Sequence, residues 1–348
     1  MENEISKNKK FRITFCSVIF FMSILIHIEA KKTKKKKNKK KLLSLLNDSS
    51  SFKTNLIPPS DQIILPPSSS AINNLNYCLY YTPKDKEFKE VPLKYEHGIS
   101  IIITAYKMVK YIKETLDSIL NQIWFNMNEN WEILLGVDGC EETLNYLHSI
   151  RKNYKNLRVF MMKKNKGTYI TTNTIMSIAK YDNLVRFDSD DIMNPNFIEV
   201  LMEESESDDI DKIVFKMENF GYSKEKQWAC GQFLIKHWVF DWFGGFLPWP
   251  CSGDIELHVR IDKFIKLKNI PKILMRRRIH NSNLTVSSKT GMKSNLRRWY
   301  TNYVRNISRK IKNINDAIII KVVDDYDEIF PDTCLRNNDE IYFNNLNV

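Results

Sequence analysis

The segment Asp188-Ser189-Asp190-Asp191 places three carboxylates within four consecutive residues. Mg²⁺ and Mn²⁺ prefer oxygen ligands, and proteins commonly hold them with one or two carboxylates together with the phosphates of a ligand. At an effective dielectric constant near 20, two unit charges about 4 Å apart interact by about 4 kcal/mol, and a divalent ion doubles that energy. We therefore expect this acidic loop to bind a divalent metal ion (Mn²⁺ or Mg²⁺) beside a phosphorylated ligand.

A second acidic segment, Asp325-Tyr326-Asp327, follows the mostly apolar residues 318–323 near the C-terminus. No series of alternating strand and helix patterns lies directly ahead of it. The Asp188 loop does follow such a series, so its sequence context favours the Asp188 loop as the metal site.

The elements that must position the Asp188 loop form an alternation of short apolar runs and helical spacings. The predicted strands cover 99–103, 132–137, 157–161 and 184–187, and the predicted helices cover 111–121, 142–151 and 170–180. This alternation predicts parallel strands with right-handed crossovers, and ligands of such sheets bind beyond the carboxyl ends of the strands. Thr104, Asp138, Asn165 and Asp188 follow those predicted ends.

Residues 97–204 resemble the nucleotide-binding half of family 2 glycosyltransferases, which have the GT-A fold. Four segments carry the resemblance in the family's order: Ile101-Ile102-Ile103-Thr104-Ala105-Tyr106, Asp138-Gly139, Asn165-Lys166-Gly167-Thr168-Tyr169 followed by Asn173, and Asp188 to Asp191 followed by Pro195. Three positions depart from the pattern. Thr104 replaces the usual proline, Val137 replaces a frequent first aspartate, and Thr172 replaces the arginine that contacts the diphosphate.

The resemblance implies a nucleotide-sugar donor site with Asp188 at the ribose and Asp190 at the metal. The residues it assigns to donor binding are Thr104, Ala105, Tyr106, Asp138, Asn165, Gly167, Asn173, Asp188 and Arg278. Purely structural roles remain open for several of them. Tyr106 could pack, Asp138 could cap the following helix, and Asn165 with Gly167 could form a turn.

The segment Gly253-Asp254-Ile255-Glu256-Leu257 resembles the acidic motif whose aspartate serves as general base in this family. Asp254 matches that aspartate, and Glu256 is the second candidate. The aromatic residues of 233–249 suit either a sugar-stacking acceptor wall or ordinary core packing. One base on the acceptor side fits an inverting transfer, because a double displacement needs an additional nucleophile.

Arg278-Ile279-His280, followed by Asn283 and Thr285, resembles a late segment of the family that closes over the diphosphate. By this resemblance Arg278 would donate to phosphate with its forked guanidinium group, and His280 would complete the metal shell. A packed or solvated ring is the alternative for His280.

The formal net charge of +12 would suit a nucleic-acid partner if it lay on the folded domain. Nine lysines fall within residues 31–41, however, and residues 42–348 contain 40 positive and 38 negative side chains. Because a duplex binder needs basic side chains clustered on its folded face, we expect no nucleic-acid partner.

Residues 13–28 form a mainly apolar run of sixteen residues that contains no Asp, Glu, Lys or Arg. A membrane-spanning helix needs about 20 apolar residues and the core of a signal peptide roughly 7 to 15, so both an anchor and a cleaved signal remain open. The following lysines leave the orientation open as well. We expect membrane association through residues 1–30, as a single-pass anchor in a secretory-pathway membrane, and a Lys-rich, Pro/Ser-containing stem over 31–96.

The expected fold is α/β, a GT-A (Rossmann-like) glycosyltransferase fold with a mostly parallel central sheet, preceded by the anchor or signal segment and the basic stem. Residues 97–204 should form the nucleotide-sugar-binding half, 205–290 the acceptor-binding half and 291–348 a C-terminal helical extension. The expected activity is a metal-dependent, inverting hexosyl- or N-acetylhexosaminyl transfer. The donor would be a nucleotide-sugar, first of all a UDP-sugar, and the acceptor a hydroxyl group of a glycan or glycoconjugate.

Two other functions remain as alternatives. Val137 and Thr172 prompt the first, a catalytically inactive GT-A module that binds sugar or nucleotide. The second is a nucleotidyltransferase, which is disfavoured because no Gly-rich loop bearing Arg or Lys follows the first predicted strand.

Overall fold

The computed structural model describes residues 77–82, 87–92, 95–126, 128–207, 210–222, 224–319 and 321–330. The predicted anchor at 1–30 and the lysine run at 31–41 lie outside these residues. None of the helices in the described part combines the length and the apolar character needed to cross a bilayer.

The described residues form thirteen strands and seven α-helices. The strands are β1 (Tyr77–Thr82), β2 (Glu87–Pro92), β3 (Glu96–Ala105), β4 (Trp131–Val137), β5 (Leu157–Met162), β6 (Tyr181–Asp188), β7 (Ile192–Met193), β8 (Lys212–Gly221), β9 (Lys226–Trp228), β10 (Phe233–Lys236), β11 (Leu267–Ile279), β12 (Lys321–Val322) and β13 (Tyr326–Phe330). The helices are α1 (Ile112–Leu120), α2 (Glu141–Ile150), α3 (Thr168–Met176), α4 (Phe197–Ser207), α5 (His237–Trp242), α6 (Gly253–Ile261) and α7 (Asn295–Lys310).

A ten-stranded sheet forms the centre of the described part, in the order β13-β5-β4-β3-β6-β10-β8-β11-β7, with β9 paired to β8. The neighbours β5, β4, β3 and β6 run parallel to one another, and β8 runs parallel to β11. Strand β10 is antiparallel to both β6 and β8. The prediction of a largely parallel central sheet is therefore confirmed.

Both faces of the sheet are covered, as expected for parallel strands joined by helical crossovers. Ile101 and Ile103 of β3 pack on one face with apolar residues of α1, α2 and α4. Ile102 points the other way and belongs to a second cluster with residues of α3, α5, α6 and α7. This alternation explains why the strand reads as a continuous apolar run rather than as alternating apolar and polar residues.

The carboxyl ends of the parallel strands lie side by side. In the register of the sheet Ala105 of β3 is opposite Val137 of β4, and Thr104 is opposite Asp188 of β6. The turn after β3, the Asp138 turn and the acidic loop therefore share one edge of the sheet, where the sequence predicts a ligand site.

A smaller sheet of order β12-β1-β2 uses segments that the sequence assigns differently. Residues 77–82 and 87–92, within the predicted stem, form the antiparallel pair β1–β2. Strand β12 pairs in parallel with β1, and β13 pairs with β5 at the edge of the central sheet. Of the predicted helical extension over 291–348, α7 is helical, whereas residues 321–330 supply these two strands because long-range pairing provides their hydrogen bonds.

Candidate active site

A cleft with a volume of about 360 Å³ opens at the carboxyl ends of β3, β4 and β6. This volume lies within the usual range of about 300 to 1,000 Å³ for small-molecule sites. Nine of the residues predicted from the sequence line it: Thr104, Ala105, Tyr106, Asp138, Asn165, Gly167, Asp188, Asp190 and Asp254.

Asp138 organises the loop on one side of the cleft. Its carboxylate accepts hydrogen bonds from the backbone N–H groups of Lys166 (2.7 Å) and Gly167 (2.9 Å). Burial raises the pKa of Asp138 above its usual value, although these donors act in the opposite direction. Gly139 has φ of +63°, and a Cβ there would come within 2.3 Å of the backbone nitrogen of Asn165. The Asp138-Gly139 step thus holds the 165–167 loop in place and does not cap α2.

Asp188, the last residue of β6, lies in a charged network on the cleft floor. One carboxylate oxygen is 2.9 Å from the guanidinium group of Arg186, and the other accepts from Gln232 at 3.3 Å. Burial, followed by the neighbouring charge of Asp190, raises the pKa of Asp188, whereas Arg186 lowers it. Asp188 remains 37% exposed at its side chain, so a ligand in the cleft can reach it.

Asp190 meets two side chains of the loop that follows β11. Its Oδ2 atom is 2.8 Å from Nε2 of His280 and accepts a hydrogen bond from Asn283 at 2.8 Å. Ser282 Oγ lies 2.8 Å from the other ring nitrogen of His280, and its hydroxyl can either donate to that nitrogen or accept from it. The imidazole can therefore present a lone pair at Nε2 when a cation replaces the hydrogen bond to Asp190.

This donor set suits a divalent ion that a substrate also coordinates. Asp190 and His280 supply one carboxylate and one imidazole, and the described residues contain no cluster of three or more His, Cys, Asp or Glu side chains suited to a metal. Two protein ligands leave coordination positions for phosphate oxygens, the arrangement that Mg²⁺ and Mn²⁺ commonly adopt. Asp190 and His280 would therefore hold the ion together with a diphosphate.

Asp191 has a structural role in the same loop. Its carboxylate accepts from the backbone N–H of Arg278 at 2.7 Å and from Gln232 at 2.5 Å, and the side chain is buried. Burial, together with the charges of Asp190 and Asp188, raises its pKa well above the usual value for aspartate. Asp191 thus connects the acidic loop to β11, and it lines the cleft together with Asp188 and Asp190.

Asp254 lines the same cleft as the acidic loop and lies in the first turn of α6. Tyr169 of α3 donates a hydrogen bond from its hydroxyl group to Oδ1 of Asp254 at 3.0 Å. The Tyr169 ring also approaches Gly253 so closely that a Cβ at this position would be 2.8 Å from it. The carboxylate of Asp254 is consequently held in a fixed orientation with its second oxygen available to a ligand.

Glu256, the second candidate base, is not among the residues that line the cleft. It is buried and forms a two-point ion pair with Arg260, at 2.6 and 3.1 Å. Arg260 in turn donates to the backbone oxygens of Phe243 and Gly245, at 2.6 and 2.5 Å. The segment around Glu256 is helical, so a residue two positions after Asp254 points well away from the cleft.

Asn173 also lies away from the cleft, contrary to its assignment as a donor-binding residue. Its side chain donates to the backbone oxygens of Phe246 (2.8 Å) and Val322 (3.0 Å) and accepts from the backbone N–H of Phe246 (2.9 Å). With these three bonds Asn173 connects α3 to β12 and to the loop before α6, which is a structural function.

The aromatic stretch before α6 packs into the protein. Trp249 is buried against Tyr300 and Tyr303, with ring centroids at 4.7 and 5.7 Å. Trp238 and Trp242 pack on each other at 6.3 Å. Of the two interpretations left open by the sequence, these contacts favour core packing over a sugar-stacking wall.

Arg278 contacts the acidic loop without lining the cleft. Its Nε donates to the backbone oxygen of Asp190 at 2.9 Å, and its terminal nitrogen pairs with Glu114. The neighbouring Arg277 lines the cleft instead and donates to Thr285 at 2.6 Å. Neighbouring side chains of a strand point to opposite faces, which is why Arg277 lines the cleft and Arg278 does not.

Three arginines that line the cleft were not predicted from the sequence, namely Arg186, Arg277 and Arg297. Arg186 is buried on β6 and also donates to the backbone oxygen of Gly231. A signal for it existed, because an arginine two residues before Asp188 on a predicted strand must share its face. Thr172 itself is fully buried and is not among the residues that line the cleft.

The second acidic segment does not line the cleft. Asp327 belongs to β13 and is paired in register with Met161 of β5, at the outer edge of the sheet. Its side chain is exposed to solvent.

The family model for glycosyl transferase family 2 matches residues 100–284 of the chain. A chondroitin synthase of Escherichia coli is 25% identical over 237 residues, which cover 62% of this chain and 34% of that protein. A hyaluronan synthase of Pasteurella multocida is 26% identical over 235 residues, covering 61% and 23%, respectively. An uncharacterized glycosyltransferase of Haemophilus influenzae is 33% identical over 112 residues, covering 32% and 33%. The matched region is therefore about a third or less of the length of these relatives.

Among solved structures, TarS residues 1–349 of S. aureus in complex with UDP is similar with a TM-score of 0.47 and 16% identity, covering 53% of this chain and 61% of that chain. The same protein in complex with UDP-GlcNAc has a TM-score of 0.47 and 17% identity, covering 53% and 60%.

Proposed function

The chain belongs to glycosyl transferase family 2, and from this premise we propose that it transfers a sugar from a nucleotide-sugar donor to an acceptor hydroxyl group, with metal dependence and inversion at the anomeric carbon. The chain is thus a glycosyltransferase with a mixed α/β, GT-A-like fold. The donor, the metal and the stereochemical course are the proposed parts.

One observation carries the proposal: the acidic loop and Asp254 lie in a single cleft. Asp188 ends the parallel strand β6 and Asp190 follows it in the turn, at the position where a nucleotide and its diphosphate are expected. Asp254 comes from α6 and is oriented by Tyr169. The cleft therefore combines residues suited to the donor with a carboxylate suited to deprotonating an acceptor.

In the proposed reaction Asp254 accepts the proton of the acceptor hydroxyl group. The acceptor oxygen then forms a bond to the anomeric carbon, while the bond between that carbon and the diphosphate oxygen breaks. The electron pair of the broken bond leaves with the nucleoside diphosphate. Among the described residues lining the cleft, Asp254 is the only carboxylate outside the acidic loop and the Asp138 turn. A single carboxylate of this kind favours a single displacement and hence inversion.

The leaving diphosphate gains negative charge, and the cleft contains groups that oppose it. Arg186 and Arg277 line the cleft, and guanidinium groups form strong forked hydrogen bonds with phosphate. A divalent ion held by Asp190 and His280 would supply Lewis-acid stabilisation of the same charge. We propose that these arginines perform the diphosphate contact for which the family uses the residue at Thr172.

For the substrates we propose a UDP-sugar donor and a glycan or glycoconjugate acceptor. The names of two relatives, a chondroitin synthase and a hyaluronan synthase, support a glycan product. The family resemblance supports the nucleotide-sugar donor, and we propose that Asp138 contacts its base and Asp188 its ribose.

We also retain the proposal that residues 13–28 attach the chain to a membrane, on the basis of their apolar sequence. The full chain should then stay with membranes after carbonate washing, whereas a chain beginning at Lys31 should be released. Equal retention of both chains would contradict this attachment.

Thermal denaturation with a panel of nucleoside diphosphates tests the donor proposal. A ligand that binds only the folded state at 100 times its dissociation constant stabilises that state by about 2.7 kcal/mol, which corresponds to several degrees. We expect UDP, in the presence of Mn²⁺, to raise the melting temperature by that amount, and we expect a clearly smaller rise without the ion. ADP and GDP serve as the matched ligands that differ only in the base.

If no nucleoside diphosphate shifts the melting temperature with or without Mn²⁺, the proposed donor site is wrong. If the shift in melting temperature is identical with and without Mn²⁺, donor binding does not depend on the metal. The proposed donor site would then stand without the metal ion.

A further inference from the structure

The basic residues of the folded part are strongly concentrated in one segment. Residues 263–315 contain fifteen Lys and Arg and no Asp or Glu, although residues 42–348 are nearly neutral as a whole. This segment includes β11, the loop that closes one side of the cleft, and α7. A surface built from it should attract an anionic partner.

Large apolar side chains are exposed in the same segment. Leu284 is 47% exposed, Val286 48%, Met292 67%, Leu296 36% and Trp299 38%. Five exposed apolar residues within sixteen positions are unusual for a surface in contact with water alone. We call this group the apolar–basic surface, together with the exposed Lys289, Lys293 and Arg298.

Hydrogen bonds in the loop bring its members together. Met292 donates from its backbone to Thr285, at 2.9 Å, which places Met292 next to Leu284 and Val286. Arg297 donates from its side chain to the backbone oxygen of Thr290 at 2.6 Å and thereby fastens the loop to α7. The surface is therefore a defined structure rather than a set of separate exposed residues.

Helix α7 extends the surface with an aromatic edge. Leu296 and Trp299 are three residues apart and so lie on the same side of the helix. Trp299 stacks on Tyr303 with ring centroids at 5.4 Å and an angle of 7° between the planes. Tyr300 and Val304 on the adjoining side are buried, so α7 is amphipathic with tryptophan at its boundary.

We propose that the apolar–basic surface docks on an anionic phospholipid bilayer. Aliphatic side chains next to lysine and arginine match the acyl boundary and the negatively charged headgroups of such a bilayer, and tryptophan favours that interface. An anionic glycan would satisfy the cations but would leave Leu284, Val286 and Met292 without an apolar partner. The proposal is independent of the N-terminal residues and of the assigned donor.

Docking would place the mouth of the cleft at the headgroup level, because Leu284 of the surface and Arg297 behind it also line the cleft. An acceptor carried by a lipid would then reach Asp254 without leaving the membrane.

Quenching of tryptophan fluorescence by brominated lipids tests the proposal in the full chain. Brominated phosphatidylglycerol vesicles should quench part of the emission, and Trp299→Phe should abolish that part. Trp228→Phe is the matched control, since Trp228 on β9 is similarly exposed, at 41%. An N-terminal anchor could hold the chain on vesicles, but it would not bring Trp299 in particular into the bilayer.

The charge of the surface is tested by replacing Lys289, Lys293 and Arg298 together with glutamine. Each cation near an anionic bilayer contributes about fivefold to partitioning, so the lipid concentration for half of the Trp299-dependent quenching should rise by about 100-fold. The melting temperatures of all variants should match that of the unchanged chain.

Three results would overturn the proposal. Quenching that is indifferent to Trp299→Phe would show that the surface stays out of the bilayer. Equal quenching by brominated phosphatidylcholine would show that binding does not depend on the negative charge of the lipid. Binding of soluble chondroitin sulfate that depends on Met292 and Trp299, without quenching by lipid, would assign the surface to an anionic glycan.

Discussion

Replacing Asp254 with asparagine is expected to lower the turnover number by about 10²- to 10⁴-fold, the usual contribution of a positioned general base. Asparagine keeps the size of the side chain and can still accept the hydrogen bond from Tyr169, but it cannot take a proton from the acceptor. By the rule of about 1.36 kcal/mol per tenfold change, the loss corresponds to roughly 3 to 5 kcal/mol in the transition state. Affinity for the nucleoside diphosphate and Mn²⁺ should be nearly unchanged, as measured by calorimetric titration.

Glu256→Gln is the contrasting variant, since the buried pair with Arg260 predicts a loss of stability instead of a specific loss of proton transfer. Removing one partner of a buried ion pair typically costs about 3 to 5 kcal/mol, so its melting temperature should fall by several degrees. Asp327→Asn, on an exposed edge strand, should change neither the turnover number nor the melting temperature. If Asp254→Asn retains full turnover, the acceptor base lies elsewhere in the cleft.

Replacing Asp190 with alanine is expected to remove the effect of Mn²⁺ on donor binding. The carboxylate is the anionic member of the proposed ligand pair, and His280 alone would leave the ion with a single neutral protein ligand. Titration of the nucleoside diphosphate should then give the same affinity with and without Mn²⁺, whereas the unchanged chain should bind more tightly with the ion.

Asp327→Ala is the control for this experiment because Asp327 belongs to the other Asp-x-Asp segment. It should leave the Mn²⁺ dependence intact. A normal Mn²⁺ effect in Asp190→Ala would disprove the metal assignment, and an equal loss in Asp327→Ala would point to the C-terminal segment instead. Together the Asp254 and Asp190 variants should separate proton transfer from donor binding.

Much of the central sheet could be predicted because its signals are local. The apolar run at 99–103 and the polar residues that follow each strand depend only on neighbouring positions, and parallel pairing then brings Thr104, Asp138 and Asp188 to one edge. The smaller sheet depends on a pairing between Tyr80 and Lys321, at opposite ends of the described chain. No local pattern specifies such a partner, which explains why the sequence suggested a stem and a helical extension there.

Several predicted site residues do not line the cleft, and the common physical reason is the direction of a side chain. A two-residue step from Asp254 keeps the same face on a strand but points away on a helix, and the segment is helical. In the run Arg276-Arg277-Arg278 a shift of one position exchanges the faces, so composition alone could not select Arg277. Asn173 required knowledge of the backbone groups of Phe246 and Val322 that surround it.

The most direct test of the account is the release of nucleoside diphosphate by the full chain, supplied with Mn²⁺, the UDP-sugar that stabilises it most, and a panel of glycan acceptors. We expect Mn²⁺-dependent release accompanied by a glycosylated acceptor of inverted anomeric configuration, and a rate at least about 100-fold lower in Asp254→Asn. The contradicting result is tight, Mn²⁺-dependent binding of the donor with no release of nucleoside diphosphate and no sugar transfer to any acceptor. That result would identify the chain as an inactive sugar-nucleotide-binding module.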